Sequence, residues 1–212
     1  LAKPRPDVTR KGIEMIGDES HDPDEALRNA DLALYKAKSD GRGQFRMFEP
    51  ALHALATHRR QLEIDLRAAL QEKQFEVYYQ AQIDLKRGDI NGFEALVRWR
   101  HPTRGLVSPA DFIPLTEEMG LIDKVGAYVL ETACKDAISW PETVRVAVNL
   151  SAVQFKTQRL VALVDRALRN SGLPAHRLEL EITESVMLDD SNGVLSQLRQ
   201  LKRLGVHISL DD

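Results

Sequence analysis

The sequence predicts an α/β fold built on a largely parallel sheet, and three observations support this prediction. From Thr143 onward, strand-like runs alternate with helical runs in units of about 30 residues, as in repeated βα units with right-handed crossovers. Two earlier strand-like runs read as a hairpin, so the first two strands of this region are antiparallel. Polar residues that can bind a cation stand at the ends of the later strands.

The composition is that of an ordinary globular protein without a strong basic field. The 212 residues include 29 Lys and Arg against 32 Asp and Glu, a formal net charge of −3, so we expect neither DNA nor RNA as a partner. Cys134 is the only cysteine, which excludes an internal disulfide and predicts a small buried core residue. No membrane span or signal peptide is recognisable, and we expect a cytoplasmic protein or the cytoplasmic part of a membrane-bound parent.

Two helices and a strand are predicted in the N-terminal part of the chain. The run Asp22-Pro23-Asp24-Glu25 offers an N-cap, a proline at the first helical position and a glutamate at the third. We expect this helix to end before Gly41 and a strand to cover Gln44 to Phe48. A second helix is predicted from His58 to Leu70, where leucines recur every four residues in a narrow apolar stripe.

The hairpin is predicted from the β-rich run Val77 to Ile83 and the strand that starts at Glu94. Its connection is the polar run that ends with the turn signal Asn91-Gly92-Phe93. Alternation places Glu94, Leu96 and Arg98 on one face of the second strand. Burying a carboxylate and a guanidinium is costly unless each has a partner, and a metal ion and a phosphate would provide them.

The rest of the chain alternates between helices and strands. Gly172 and Gly205 mark the ends of two of the helices. Helices are expected at about 108 to 118, 121 to 138, 152 to 170 and 190 to 204, and strands at 143 to 150, 177 to 183 and 206 to 210. In the last helix, the residues expected to face inward are Leu195, Leu198, Leu201 and Leu204.

Oxygen-bearing side chains at the ends of these strands, together with the glutamate of the hairpin, form a candidate site. In a (β/α) barrel the active site lies at the carboxyl ends of the strands, so we expect these side chains to converge. They are Glu94, Asn149, Glu181 and Asp211. Three carboxylates and an amide oxygen suit a hard cation such as Mg²⁺ or Mn²⁺. Each residue alone is more often a helix cap or part of a solvated turn, but their succession on consecutive strands favours a site.

Several extended motifs occur in one order between Tyr79 and Asp212. They are Tyr79-Gln80, Glu94-Ala-Leu-Val-Arg-Trp-Arg-His-Pro, Phe112-Ile-Pro-Leu-Thr-Glu-Glu-Met-Gly-Leu-Ile, Val148-Asn-Leu-Ser, Glu179-Leu-Glu-Ile-Thr-Glu-Ser and Asp211-Asp212. In these motifs, and over about residues 60 to 212, the chain resembles the EAL domain family, the cyclic di-GMP phosphodiesterases. The resemblance implies a modified (β/α)8 barrel of the TIM type with an antiparallel first strand. It also implies hydrolysis of cyclic di-GMP to the linear dinucleotide pGpG.

The resemblance assigns roles to individual residues. The implied ligands of a first metal ion are Glu94, Asn149, Glu181 and Asp211, and those of a second are Asp211 and Asp212. The catalytic residues are then Glu94, Asp211 and Asp212. The implied ligand contacts are Gln80, Leu96 and Arg98, and Glu184 resembles the residue that braces the loop beyond the aspartates. Ala81 departs from the proline often found at its position.

The family continues beyond the last aspartate into further βα units with a catalytic lysine and another glutamate. The resemblance therefore implies a barrel truncated after about the fifth strand. We expect the isolated 212-residue chain to expose an open sheet edge and to be inactive toward cyclic di-GMP.

The N-terminal part carries a second, weaker resemblance. Residues 29 to 45 resemble the closing helix and strand of GGDEF (diguanylate cyclase) domains, but the signature loop of that family is absent, so no cyclase activity is assigned. We expect a GGDEF-like remnant at 1–50, a linking helix at 51–71 and the N-terminal part of an EAL domain at 72–212. The expected parent is a longer protein with N-terminal sensory and GGDEF regions.

Two other functions compete with that of an enzyme. A degenerate EAL domain would bind cyclic di-GMP and signal without cutting it, but such a receptor does not need the whole set of metal ligands. A structural or dimerisation module, forming a homodimer through the linking helix, is compatible with either function. The intact ligand set therefore favours hydrolysis with Mg²⁺ or Mn²⁺.

Overall fold

A computed structural model of the chain describes residues 11–13, 23–39, 45–187 and 192–211, which fall into two compact units divided between Asp65 and Leu66. The first unit contains β1 (Lys11–Ile13), α1 (Pro23–Ser39), β2 (Phe45–Met47) and most of α2 (Pro50–Ala69). Its two strands pair in parallel. The predicted helix and strand are confirmed by α1 and β2.

The helix α2 agrees with the linking helix expected at 51–71 but extends beyond its predicted apolar stripe. It starts at Pro50, whereas the stripe was predicted from His58 to Leu70. Proline at the first helical position is preorganised for the helix, and the alanine-rich residues that follow are strong helix formers without an apolar stripe. Apolar periodicity could therefore detect only the later part of this helix.

The second unit is a mixed sheet covered by helices. Its strands are β3 (Phe75–Ile83), β4 (Ile90–His101), β5 (Gly105–Val107), β6 (Arg145–Leu150), β7 (Leu178–Thr183) and β8 (His207–Asp211). Its helices are α3 (Pro109–Glu118), α4 (Ile122–Ala137), α5 (Leu160–Ser171), α6 (Glu184–Met187) and α7 (Asn192–Leu204), with 3₁₀ helices at Ala152–Thr157 and Ala175–Arg177. The strand order is β3-β4-β6-β7-β8, with β5 paired to β4. No helix in the described part of the chain is long and apolar enough to cross a membrane.

The hairpin of β3 and β4 is antiparallel as predicted, but its turn was placed wrongly. The predicted turn residue Gly92 lies inside β4, and the connection runs from Asp84 to Asp89, whose backbone atoms are joined by a 2.9 Å hydrogen bond. A Cβ at position 92 would lie 2.9 Å from Oε1 of Gln82 on the neighbouring strand and 3.3 Å from the backbone oxygen of Arg145. The glycine marks a close approach between side chain and backbone rather than a turn.

One face of the sheet is apolar and packs against the helices. Alternation places Trp99 on this face, where it is fully buried with its ring centroid 6.0 Å from that of Phe75 and 5.7 Å from that of Phe112 in α3. The same face carries the buried residues Val146, Val148, Leu150, Leu178, Leu180 and Ile182. Full burial of each such side chain stabilises the fold by about 1.5–3 kcal/mol. The opposite face is left to polar residues, and we call it the polar face.

The single helix predicted at 152 to 170 is divided in two. Ser151 caps the 3₁₀ helix, since its Oγ accepts a hydrogen bond from the backbone N–H of Val153. The backbone N–H of Ser151 in turn donates to Oε1 of Gln154. Gln158 then adopts a left-handed conformation, with φ 52°, which ends this helix before α5 begins. The apolar pattern continues across the break, so periodicity alone predicted one helix.

The inward face of α7 is rotated from the predicted one. Leu195 was expected inside but is 40% exposed. Gln197 is buried, and its Nε2 donates a 2.6 Å hydrogen bond to the backbone oxygen of Phe155. The buried positions have the i, i+3, i+4, i+7 spacing of one helical face: Val194, Gln197, Leu198 and Leu201. Leu198 and Leu201 are inward as predicted. The other two positions differ because Gln197, a polar residue, belongs to the buried face.

Arg177 forms a buried clamp that the sequence did not reveal. The residue is 4% exposed, and its guanidinium donates hydrogen bonds to the backbone oxygens of Val144 at 3.0 Å, Ala137 at 2.8 Å and Pro141 at 3.1 Å. These carbonyl groups lie at the end of α4 and in the segment that leads to β6. Two of these oxygens also accept backbone hydrogen bonds, Ala137 from the N–H of Trp140 and Pro141 from that of Val144. The guanidinium therefore ties the end of α4 to the segment before β6 and satisfies its own buried donors in doing so.

Cys134 is a fully buried core residue, as predicted. Burial raises the pKa of its thiol to about 12, because the thiolate loses hydration in the apolar interior. The protonated thiol therefore behaves as a small apolar side chain.

Candidate metal and nucleotide site

The register of the parallel strands brings three predicted ligands to neighbouring positions of the polar face. Glu94 on β4 pairs with Ala147 on β6, two residues before Asn149. Asn149 in turn pairs with Glu181 on β7. Side chains two residues apart on a strand point to the same side, so the three oxygen-bearing groups share one face.

Glu94 and Asn149 are in direct contact. The amide nitrogen Nδ2 of Asn149 donates a 2.6 Å hydrogen bond to Oε1 of Glu94. A cation needs the amide oxygen instead, so metal binding by Asn149 requires its side-chain amide to flip. The contact shows that the two groups are close enough to share one ligand.

Glu181 is half-buried and has a partner that the sequence analysis did not single out. Its Oε1 accepts a 3.1 Å hydrogen bond from Nε2 of Gln82 on β3. The neighbouring Glu179 pairs instead with Arg145, at 3.2 Å. Of the two glutamates of this strand, Glu179 is therefore neutralised by an arginine and Glu181 is held by a neutral amide.

The last two predicted ligands are described only in part. Asp211 ends β8 and pairs in register with Thr183 on β7, but its side chain and the whole of Asp212 lie outside the described residues. Among the side chains that the structure describes, no three carboxylate, imidazole or thiol groups converge on one point. The described donors are the two carboxylates and one amide, a set of hard oxygen ligands that fits Mg²⁺ or Mn²⁺.

A buried hydroxyl lies beside these donors. Ser209 on β8 pairs in register with Glu181, and its Oγ is buried with no hydrogen-bond partner within the described part of the chain. Buried polar atoms are normally satisfied. Among the described residues, this hydroxyl is therefore an unsatisfied group beside Glu181.

The residues predicted to contact a nucleotide lie on the hairpin, on the same polar face. Gln80 is exposed and Leu96 is half-buried. The guanidinium of Arg98 lies over the ring of Tyr78, 5.7 Å from its centroid, and donates a 3.0 Å hydrogen bond to the backbone oxygen of Val97. These contacts hold the planar group in a defined orientation, as recognition of a phosphate requires.

Glu184 is the first residue of α6 and is exposed. It directly follows β7, three positions after Glu181. The loop that the resemblance assigns to it follows Asp212, so its bracing role stays a prediction.

One further contact fixes the end of β6. The hydroxyl of Ser151 donates a 2.6 Å hydrogen bond to Oε1 of Glu117 near the end of α3. Ser151 lies two residues after Asn149, so this bond ties the strand end that carries a candidate ligand to a neighbouring helix. Both residues lie in the motifs already quoted, but only the fold shows that they meet.

A family model described as the EAL domain matches residues 63–212. The chain belongs to the EAL domain family. A solved structure, the PaMucR phosphodiesterase in complex with c-di-GMP, has a TM-score of 0.68 and 42% identity, over 72% of this chain and 63% of that one. The predicted α/β fold is confirmed by this EAL-domain likeness and by the mixed sheet.

The curated relatives are longer proteins. An uncharacterized signaling protein of Caulobacter vibrioides is 45% identical over 201 residues, which make up 95% of this chain and 25% of the relative. The bifunctional diguanylate cyclase/cyclic di-GMP phosphodiesterase MucR of Pseudomonas aeruginosa is 40% identical over 205 residues, 95% of this chain and 30% of the relative. This EAL domain chain thus spans less than a third of the curated relatives it matches.

Proposed function

We propose that this EAL domain hydrolyses cyclic di-GMP to the linear dinucleotide pGpG, with Mg²⁺ or Mn²⁺, in bacterial second-messenger signalling. The observation that carries the proposal is the placement of Glu94, Asn149 and Glu181 on one polar face of three neighbouring strands. The likeness to MucR and to the PaMucR complex supports the choice of nucleotide. The alternative, a receptor that binds without cutting, would leave this set of oxygen ligands without a role.

In this proposal each residue has one task. Divalent cations bound at the site would supply a coordinated water of lowered pKa and would neutralise charge on the attacked phosphate. The residues that would hold them are Glu94, Asn149, Glu181, Asp211 and Asp212. Arg98 binds a phosphate oxygen with its oriented guanidinium, while Gln80 and Leu96 contact the rest of the nucleotide. Glu184 braces the loop beyond the aspartates.

The wider setting is also a proposal. We place the domain in the cytoplasm, within a longer signalling protein that has sensory and GGDEF regions, and we allow for a homodimer. The greater length of MucR and of the Caulobacter relative supports a longer parent.

The full-length protein should convert cyclic di-GMP to pGpG in Mn²⁺ or Mg²⁺, as followed by liquid chromatography. Excess EDTA should stop the reaction, because the carboxylates alone cannot lower the pKa of a water molecule sufficiently. Added Mn²⁺ should restore it. Tight nucleotide binding without any product, at saturating Mn²⁺, would overturn the hydrolase in favour of the receptor.

Arg98→Ala should raise the dissociation constant for cyclic di-GMP by about tenfold or more, since a charge-assisted hydrogen bond to phosphate is lost. The affinity for Mn²⁺ should not change, because a guanidinium cannot ligate a cation. Titration calorimetry can measure the nucleotide affinity in EDTA, where no turnover consumes the ligand, and the Mn²⁺ affinity in a separate titration.

The matched control is Arg100→Ala, two residues further along β4. Arg100 is exposed and already pairs with Glu76, at 2.7 Å, so its loss should leave nucleotide affinity unchanged. If Arg98→Ala binds cyclic di-GMP as tightly as this control does, Arg98 has no part in the site.

A further inference from the structure

We infer that Gln82 is a positioning residue for Glu181, the candidate metal ligand on β7. Nε2 of Gln82 lies 3.1 Å from Oε1 of Glu181, and the two residues are 99 positions apart in the sequence. This inference rests on the proposed function. Carboxylates that ligate a metal are themselves held by hydrogen bonds, which fix their rotamer before the cation arrives.

The contact crosses two strands, and a glycine makes the crossing possible. Gln82 on β3 pairs in register with Gly92 on β4, and β6 lies between β4 and β7. A Cβ at position 92 would lie 2.9 Å from Oε1 of Gln82 and 3.3 Å from the backbone oxygen of Arg145. Because Gly92 has no side chain, the amide of Gln82 extends over it toward Glu181.

The chemistry of the donor matters as much as its position. The cationic residue of β6 is Arg145, which pairs with Glu179 at 3.2 Å. A guanidinium on Glu181 would compete with a metal ion for the negative charge of the carboxylate. The neutral amide of Gln82 orients the carboxylate without neutralising its charge.

The test uses the full-length protein and Mn²⁺ alone as the probe, in titration calorimetry without nucleotide. Gln82→Met keeps the length of the side chain and removes its N–H donors. We expect this variant to bind Mn²⁺ about tenfold more weakly, the usual minimum effect of removing a partner of a metal ligand. Affinity for cyclic di-GMP in EDTA should be unchanged, which separates the effect from a general distortion of the site.

Two further variants distinguish positioning from stability. Gln197→Met makes the same exchange at a buried amide that bonds to the backbone oxygen of Phe155, so it should lower stability and leave Mn²⁺ affinity unchanged. Gly92→Ala should displace the amide of Gln82 and weaken Mn²⁺ binding. In the Gln82→Met background, the same alanine should have no further effect on Mn²⁺ binding.

Unchanged Mn²⁺ affinity in Gln82→Met would overturn the inference, and so would an equal loss in Gln197→Met or additive losses in the double variant. Glu181→Ala separates this failure from failure of the proposed function. If Glu181→Ala weakens Mn²⁺ binding and Gln82→Met does not, only the role of Gln82 is wrong. If neither variant changes Mn²⁺ affinity, both the role of Gln82 and the proposed metal-dependent function are wrong.

Discussion

Glu94→Gln is expected to lower kcat for cyclic di-GMP by at least about a thousandfold in the full-length protein. Glutamine keeps the size of the side chain and an oxygen that can accept the hydrogen bond from Asn149, so the strand should remain in place. It lacks the anionic charge that would hold a cation. Asp211→Ala should behave in the same way. The measurement is the initial rate of pGpG formation in saturating Mn²⁺.

The control for this prediction is Glu179→Gln on the same polar face. Glu179 pairs with Arg145 and is not among the proposed ligands, so its variant should keep most of the activity. Circular dichroism should show that both variants are folded. Turnover by Glu94→Gln close to that of Glu179→Gln would exclude Glu94 as a metal ligand.

Arg177→Leu should lower the free energy of unfolding of the second unit by about 3 kcal/mol, because the hydrogen bonds that the buried guanidinium donates to backbone oxygens are lost. The acceptors concerned are the backbone oxygens of Ala137, Pro141 and Val144. Urea unfolding followed by tryptophan fluorescence measures the change, since Trp99 and Trp140 both lie in this unit.

Arg169→Leu is the matched control for the clamp. The side chain of Arg169 is 77% exposed and pairs with Asp165 one turn earlier in α5, so its loss should change stability little. If Arg177→Leu is as mild as this control, water satisfies the carbonyl groups and the clamp contributes nothing to stability.

The features that local sequence determines were predicted well. The start of α1 at Pro23, the β-rich runs of the hairpin and the βα alternation each depend on neighbours within a few positions. The shared face of Glu94, Asn149 and Glu181 follows from the two-residue period of strands and the register of parallel pairing. The resemblance to EAL domains then named the chemistry that these residues could perform.

The features that were missed depend on residues distant in sequence. Gln82 has the pattern of an ordinary strand residue, because its partner Glu181 lies 99 positions further along the chain. Gly92 was predicted to lie in a turn. Sequence alone does not distinguish a glycine that bends the chain from one over which a neighbouring side chain passes. Arg177 was predicted to start a strand, and its backbone partners leave no mark in the sequence.

The glycine beneath Gln82 couples these two positions in evolution. A Cβ at position 92 would lie 2.9 Å from Oε1 of Gln82, so a substitution there makes the flexible end of this side chain move. The glutamine then persists in the sequence without the contact to Glu181 that it makes here. A glutamine at position 82 therefore indicates this contact in a related protein only where position 92 is also glycine.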